Sequence, residues 1–134
     1  MRENELEQRR IEAAKILAVL RQQEAKLNEI IHSQTQNSEQ MEALYTLDTL
    51  NIQQIESHRD YGLKLTIDAK NQERLIANTK IILERKQQEV VEAHKKAEVL
   101  KKLKEKQEKE YYKEFWNSEI KETDDITSAR FNLR

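Results

Sequence analysis

Apolar residues recur at alternating steps of three and four in two separate parts of the chain. This spacing is typical of a coiled-coil stripe, in which the apolar residues line one face of a helix. Glu24, Gln34 and Ser38 interrupt the first stripe. Its members are Ala13, Leu17, Leu20, Leu27, Ile31, Met41 and Tyr45.

The second stripe has a different phase from the first, shifted by about three residues. A single uninterrupted helix would have to absorb this shift as a stammer. A turn between the two stripes explains it more simply and predicts two helices. The members of the second stripe are Ile76, Thr79, Leu83, Val90, Ala93, Ala97 and Leu100.

The turn is predicted in the sequence TLDTLN at 46–51. Two β-branched threonines and an aspartate lower helix propensity there. Asn51 and Gln54 have the spacing of a capping box, which predicts that the second helix begins at 51 or 52. Gly62 is the alternative turn, because glycine readily adopts the backbone conformations of a chain reversal.

The composition favours long helices. Ala, Glu, Lys, Leu and Arg supply about half of the 134 residues, with one glycine and no proline. We therefore predict an all-α fold: two long helices forming one antiparallel coiled-coil hairpin over 1–134. The expected helices are about 3–45 and 52–131. Leu20 would then face Ile76, and the second helix would extend about 50 to 60 Å beyond its partner.

The extension contains the sequence YYKEFW. Four of the seven aromatic residues of the chain lie at 111–116, and Phe131 follows. Tyr111 and Phe115 have i to i+4 spacing, as do Tyr112 and Trp116, so the four would cover about 140° of the helix. That favours a docking surface for another protein. If instead the chain turned at Gly62, the first helix could reach these side chains and pack against them.

The sequence carries no recognisable catalytic or metal-binding motif. His32, His58 and His94 are scattered, and one glycine is too few for a phosphate-binding loop. We predict no enzymatic activity, no cofactor and no metal site. Without cysteine or a long apolar run, we expect a soluble intracellular protein that does not insert into a membrane.

Residues 94–109 form a basic segment, with seven lysines against three glutamates. The segment could be solvated surface, or it could bind an acidic protein. Nucleic acid is disfavoured because the segment lacks interleaved arginines and stacking aromatic residues, and because the whole chain has a net charge of −1.

The sequences LKKLKEKQEKEYYKEF and DDITSARF resemble the FliJ family, the small coiled-coil proteins of the bacterial flagellar type III export apparatus. The resemblance spans nearly the whole chain in layout. Trp116 and the shortened first helix depart from the family pattern. The residues that carry the resemblance are Leu100, Leu103, Gln107, Tyr111, Asp124, Asp125, Ile126, Ala129, Arg130 and Phe131.

The resemblance implies a stalk, monomeric when free, whose terminal end binds and stimulates the hexameric ring of the flagellar export ATPase. It also implies contacts with the cytoplasmic domain of the export gate membrane protein and with export chaperones. The location would be cytoplasmic, peripheral to the inner membrane at the flagellar base. Tyr61 and Leu65 match the family's gate-binding pair by their i to i+4 spacing; the alternative is that they pack in the seam of the hairpin. The residues expected to engage the ATPase ring are Lys101, Lys102, Leu103, Tyr111, Phe115, Trp116, Arg130 and Phe131.

Two other functions fit the same pattern. A stalk of a virulence-type injectisome would have the same hairpin plan, although DDITSARF favours the flagellar branch. A structural coiled coil could instead dimerise through its two stripes, and would then need a second chain, whereas a hairpin would not.

Overall fold

The computed structural model describes residues 2–132, with the side chains of residues 4–131, and contains two long α-helices. Helix α1 spans Arg2–Tyr45 and helix α2 spans Ile52–Asn132. The two helices pack against each other, and no strand occurs in this part of the chain. The all-α helical hairpin expected from the sequence is therefore confirmed.

The chain reverses direction in the segment 46–51, between the two helices. Asn51 caps α2, because its side-chain oxygen Oδ1 accepts a hydrogen bond from the backbone N–H of Gln54 at 3.2 Å. The first α-helical hydrogen bond of α2 runs from the N–H of Ile55 to the carbonyl oxygen of Asn51. Gly62 lies inside α2 and has no positive φ, so it does not form a turn.

The chain divides into two compact units, which we describe separately. The first, Glu7–Val91, contains most of α1, the connection and the first half of α2. The second is formed by Met1–Leu6 and Glu92–Arg134.

Contacts between side chains set an antiparallel register in the unit Glu7–Val91. Asn37 contacts His58 near the turn, and two heptads away along each helix Gln72 donates a hydrogen bond to the backbone oxygen of Gln23 at 2.9 Å. Residues therefore pair in opposite order along the two helices. Leu20, Ile76 and Leu83 form the apolar cluster between them.

The seam between the helices follows the second sequence stripe as predicted and agrees with most of the first, since Ala13, Leu17, Leu20, Leu27 and Met41 are buried or half-buried. Ile31 and Tyr45, predicted seam residues, are exposed. Along α1 the less exposed positions recur in steps of three and four and include three residues that each precede a predicted one. These are Ile16, Ile30 and Leu44, which lie next to Leu17, Ile31 and Tyr45.

The difference has a simple cause. At each of these three places two neighbouring residues are apolar, so a pattern of apolar residues fits α1 in either of two phases. Asn37 and Gln23 contact α2, and both residues face it only in the phase that contains Ile16, Ile30 and Leu44. The partner helix therefore selects the seam, and the sequence of α1 alone does not.

Four charged side chains lie together at the end of this unit remote from the turn. Arg9 contacts Glu12 and Glu89 at 3.4 Å, and Lys86 contacts Glu12 at 3.4 Å and Glu89 at 3.5 Å. All four side chains are about one-third exposed. Water screens such pairs, so each contributes at most about 1 kcal/mol to stability.

Candidate protein-binding surface

The candidate functional surface lies on the C-terminal part of α2, where the helix has no buried residue. In the unit that contains it, Ala93 is buried, and Ala97 and Leu100 are half-buried. Every residue from Lys101 to Phe131 is exposed. Burial therefore ends at Leu100, although the helix continues to Asn132.

The sequence explains why burial ends there. The positions that would continue the heptad seam after Leu100 are 104, 107, 111 and 114, which carry Lys, Gln, Tyr and Glu. Apart from Tyr111, the apolar residues of this region lie at other heptad positions, so no single packed stripe forms. Their exposed side chains are Leu103, Tyr111, Tyr112, Phe115, Trp116, Ile120, Ile126 and Phe131.

The aromatic side chains of 111–116, which we call the aromatic segment, form two ring contacts between sequence neighbours. The ring centroids of Tyr111 and Tyr112 are 5.9 Å apart at an interplanar angle of 75°. Those of Phe115 and Trp116 are 6.0 Å apart at 77°. Both pairs are edge-to-face contacts between sequence neighbours, a favourable geometry for aromatic rings. The two ring pairs therefore follow one another along the helix.

The aromatic segment remains largely accessible to a partner. Trp116 is 62% exposed and Phe115 is 48% exposed even though the two contact each other. Clustered exposed aromatic residues are typical of interaction sites, because burying them on a partner releases a large apolar area from water. The alternative required a turn at Gly62, but Gly62 lies inside α2 and all residues at 111–116 are exposed.

The other residues expected to bind the ATPase ring also lie on the exposed segment. Lys101, Lys102 and Leu103 precede the aromatic segment, and Arg130 and Phe131 lie in the last turn of α2. Phe131 is the most exposed of the large apolar residues, at 79%. These residues are spread along about 30 residues of one helix, roughly 45 Å at 1.5 Å per residue. They form an elongated surface and not a pocket.

Two exposed residues of the same segment were not among the residues predicted to bind a partner. Ile120 and Ile126 are both more than half exposed, as are Tyr112 and Trp116. Isoleucine is common in helix seams, so its presence alone carried no signal. The loss of the heptad pattern after Leu100 is the signal that could have identified both residues.

Tyr61 and Leu65, the expected gate-binding pair, lie in different environments. Leu65 is 5% exposed and belongs to the seam of the hairpin, whereas Tyr61 is 46% exposed beside the seam. Leu65 therefore lies in the seam and Tyr61 beside it, so the two side chains do not form one exposed surface. Only Tyr61 offers its side chain to a partner, and Leu65 packs between the helices.

The surface near the turn contains two open grooves. One, of about 350 Å³, is lined by residues that include Asn37, His58, Gly62 and Thr66. The other, of about 670 Å³, lies closer to the connection, and His58 also lines it.

Within residues 4–131, no three His, Asp or Glu side chains are grouped as metal ligands. Along the described helices, no stretch is long and apolar enough to cross a membrane.

Comparison with known proteins adds no family assignment: no protein-family model, curated protein or solved structure matches this chain significantly. The fold and the exposed helix define its class, an all-α helical hairpin protein in which residues 101–131 of the second helix are exposed.

Proposed function

We propose that the chain is a non-enzymatic stalk of the flagellar type III protein export apparatus, which binds and stimulates the ring of the export ATPase. The proposal draws on the sequence resemblance to the FliJ family. The observation that carries it furthest is the exposure of every residue from Lys101 to Phe131 on an unbroken helix.

A stalk that enters an ATPase ring needs a helix whose side chains are free to contact the ring wall on several sides. The aromatic segment meets this requirement, since its four rings point over about 140° of the helix circumference at 100° per residue. Large aromatic residues dominate the binding free energy of many interfaces. We assign this role to Tyr111, Phe115 and Trp116.

The charged residues of the surface would direct the approach. Lys101 and Lys102 carry exposed positive charge before the aromatic segment, and Arg130 does so after it. Complementary acidic residues on the ATPase ring would raise the association rate and fix the orientation of the helix. Leu103 and Phe131 would add apolar contacts at the two ends of the surface.

The contact with the export gate protein is assigned to the hairpin, and within it to Tyr61. Its exposed side chain lies on a helix held rigid by the buried Leu65 and Ala69. Leu65 would act indirectly, by holding the helix face that presents Tyr61. The same chain would contact export chaperones, and it would work on the cytoplasmic side of the inner membrane, peripheral to it at the flagellar base.

The direct experiment removes the aromatic surface and measures ATPase binding and stimulation. Phe115→Ala combined with Trp116→Ala should weaken binding by about 30-fold or more, since truncating one central aromatic residue often costs 2 kcal/mol or more. The matched control is Leu63→Ala with Ile67→Ala, which removes two exposed apolar residues from the hairpin. It should leave ATPase stimulation unchanged.

Native binding and stimulation by the Phe115 and Trp116 double variant would contradict the proposal. Testing the chain against the flagellar and the injectisome ATPase from the same cell would separate the two branches. Tighter binding to the flagellar enzyme is the expected outcome.

A further inference from the structure

The exposed segment of α2 has a charge pattern that the proposed function does not use. The basic segment 94–109 holds seven lysines and three glutamates, a formal charge of +4. The next sixteen residues, 110–125, hold six acids and two lysines, a formal charge of −4. We call 110–125 the acidic segment. The two segments have equal length and opposite charge.

Among the side chains of residues 4–131, no ion pair joins either segment to another part of the chain. Every charged side chain of the two segments is exposed, although Ala97 and Leu100 of the basic segment are half-buried. The ion pairs between helices within the described residues lie around Arg9 and Lys86, outside both segments. Both charged blocks are therefore available to another molecule.

We infer that two copies of the chain associate through these helices in antiparallel orientation, with the basic segment of each lying against the acidic segment of the other. In an antiparallel pair centred between Lys109 and Glu110, the basic segment of each copy, with a charge of +4, lies against the acidic segment of the other, with a charge of −4. A parallel pair would place like charges together, which is unfavourable. Charge complementarity thus favours a second copy of the chain as the partner and an antiparallel orientation of the two helices.

The same arrangement provides apolar contacts. Residues 111–116 of one copy lie alongside residues 103–108 of the other, which include Leu103, Lys104 and Lys106. Leu103 can pack on an aromatic ring, and the lysines can place their aliphatic stems and ammonium groups over ring faces. The exposed aromatic segment is then covered twice, once in each copy.

This association leaves each hairpin intact, because the seam of Glu7–Val91 is filled by residues of one chain. It therefore differs from a dimer formed through the two apolar stripes. It would also compete with the proposed ATPase binding for the aromatic segment, but it stands whether or not that binding occurs.

The first test is sedimentation equilibrium of the full chain from micromolar to millimolar concentration. At about 50 mM salt the mass should rise from the monomer value of 16.0 kDa toward a dimer. At about 500 mM salt the dissociation constant should rise at least tenfold, because the charges are exposed and screened. A chain that remains monomeric throughout overturns the inference.

The second test uses two charge variants that are each weakened alone. K101E with K102E brings the basic segment from +4 to zero, and E122K with D124K does the same for the acidic segment. A mixture should associate more tightly than either variant alone, since it restores one pair of opposite blocks. As a control, K64E with K70E changes the net charge equally on the hairpin and should leave association unchanged. No gain on mixing contradicts the pairing.

Orientation is measured with a spin label on Ser118→Cys, in a chain that has no other cysteine. Antiparallel pairing about Lys109 places the two labels roughly 25 Å apart along the helix axis, whereas parallel pairing leaves them about 10 Å apart. The shorter distance overturns the proposal. The longer one, together with the mixing result, supports it.

Discussion

Asn37 and His58 join the two helices near the turn through two hydrogen bonds. The amide Nδ2 of Asn37 donates to the backbone oxygen of His58 at 2.8 Å, and its Oδ1 lies 2.8 Å from Nδ1 of His58. Because an amide oxygen can only accept, Nδ1 of His58 carries the proton and donates. Asn37 is 7% exposed, so both bonds form largely out of water. A buried polar residue of this kind fixes coiled-coil register.

Replacing Asn37 with Ala should destabilise the hairpin, because it removes both bonds and leaves His58 Nδ1 without its partner. We expect a loss of about 1 to 2 kcal/mol in the free energy of unfolding. Urea denaturation followed by circular dichroism measures it. Asn28→Ala, at an exposed position of the same helix, is the control for the change in helix propensity. Equal stability of the two variants would show that the pair contributes nothing.

Gly62 faces the same side chain and gives a second, coupled prediction. A Cβ atom at Gly62 would lie 3.1 Å from Nδ2 of Asn37, closer than ordinary contact. Gly62→Ala should therefore gain less than about 0.5 kcal/mol in the native chain, although the helix propensity alone favours Ala by about 1 kcal/mol. In the Asn37→Ala background the full gain should appear. The coupling is read from four unfolding curves, and an identical gain in both backgrounds would refute it.

The contacts of Asn37 and Gly62 depend on how the two helices pack, and the sequence of one helix alone does not predict them. The turn at 46–51 can be predicted from Asn51 and the low helix propensity before it, because both act locally. The phase of α1 cannot be predicted that way, since Ile30 and Ile31 satisfy the apolar pattern equally well. Asn37 and Gln23 are polar residues inside the seam, and a search for apolar residues passes over them.

For the candidate surface, the sequence predicts the position and the exposure of the aromatic segment but not the geometry of its ring contacts. The aromatic segment is conspicuous in a chain with few aromatic residues, and its exposure follows from the end of the heptad pattern at Leu100. The geometry of its ring pairs depends on side-chain rotamers and does not follow from i to i+4 spacing. The burial of Leu65 required the seam phase of α2, which continues the second stripe back towards the turn.

Gln23 provides a test of polar burial in the seam. Its backbone oxygen accepts a hydrogen bond from Gln72, but its side-chain Oε1 is buried and has no hydrogen-bond partner. Gln23→Leu removes this unpaired oxygen and keeps the backbone acceptor. The substitution should stabilise the hairpin by about 1 kcal/mol. The thermal midpoint should rise accordingly, with exposed Gln22→Leu as the control. A midpoint no higher than that of the control would indicate that Oε1 is satisfied.

Tyr61 and Leu65 should respond differently to truncation, because one is exposed and the other is buried. Leu65→Ala removes a seam side chain that is 5% exposed and should lower the free energy of unfolding by about 2 to 4 kcal/mol. Tyr61→Ala removes a half-exposed ring and should change it by less than about 1 kcal/mol. Chemical denaturation of both variants measures the difference.

Binding to the export gate protein should reverse this order if Tyr61 makes the contact. Tyr61→Ala should weaken binding about tenfold while the hairpin remains folded, since loss of one aromatic contact commonly costs more than 1 kcal/mol. Leu63→Ala, which truncates another exposed residue two positions away, is the matched control and should bind normally. Binding is measured by calorimetric titration at a temperature where all variants are folded, so that differences in stability do not affect the measured affinities. If Tyr61→Ala binds like the Leu63 control, while Leu65→Ala loses binding without losing helicity, the contact belongs to Leu65 and the seam must open to expose it.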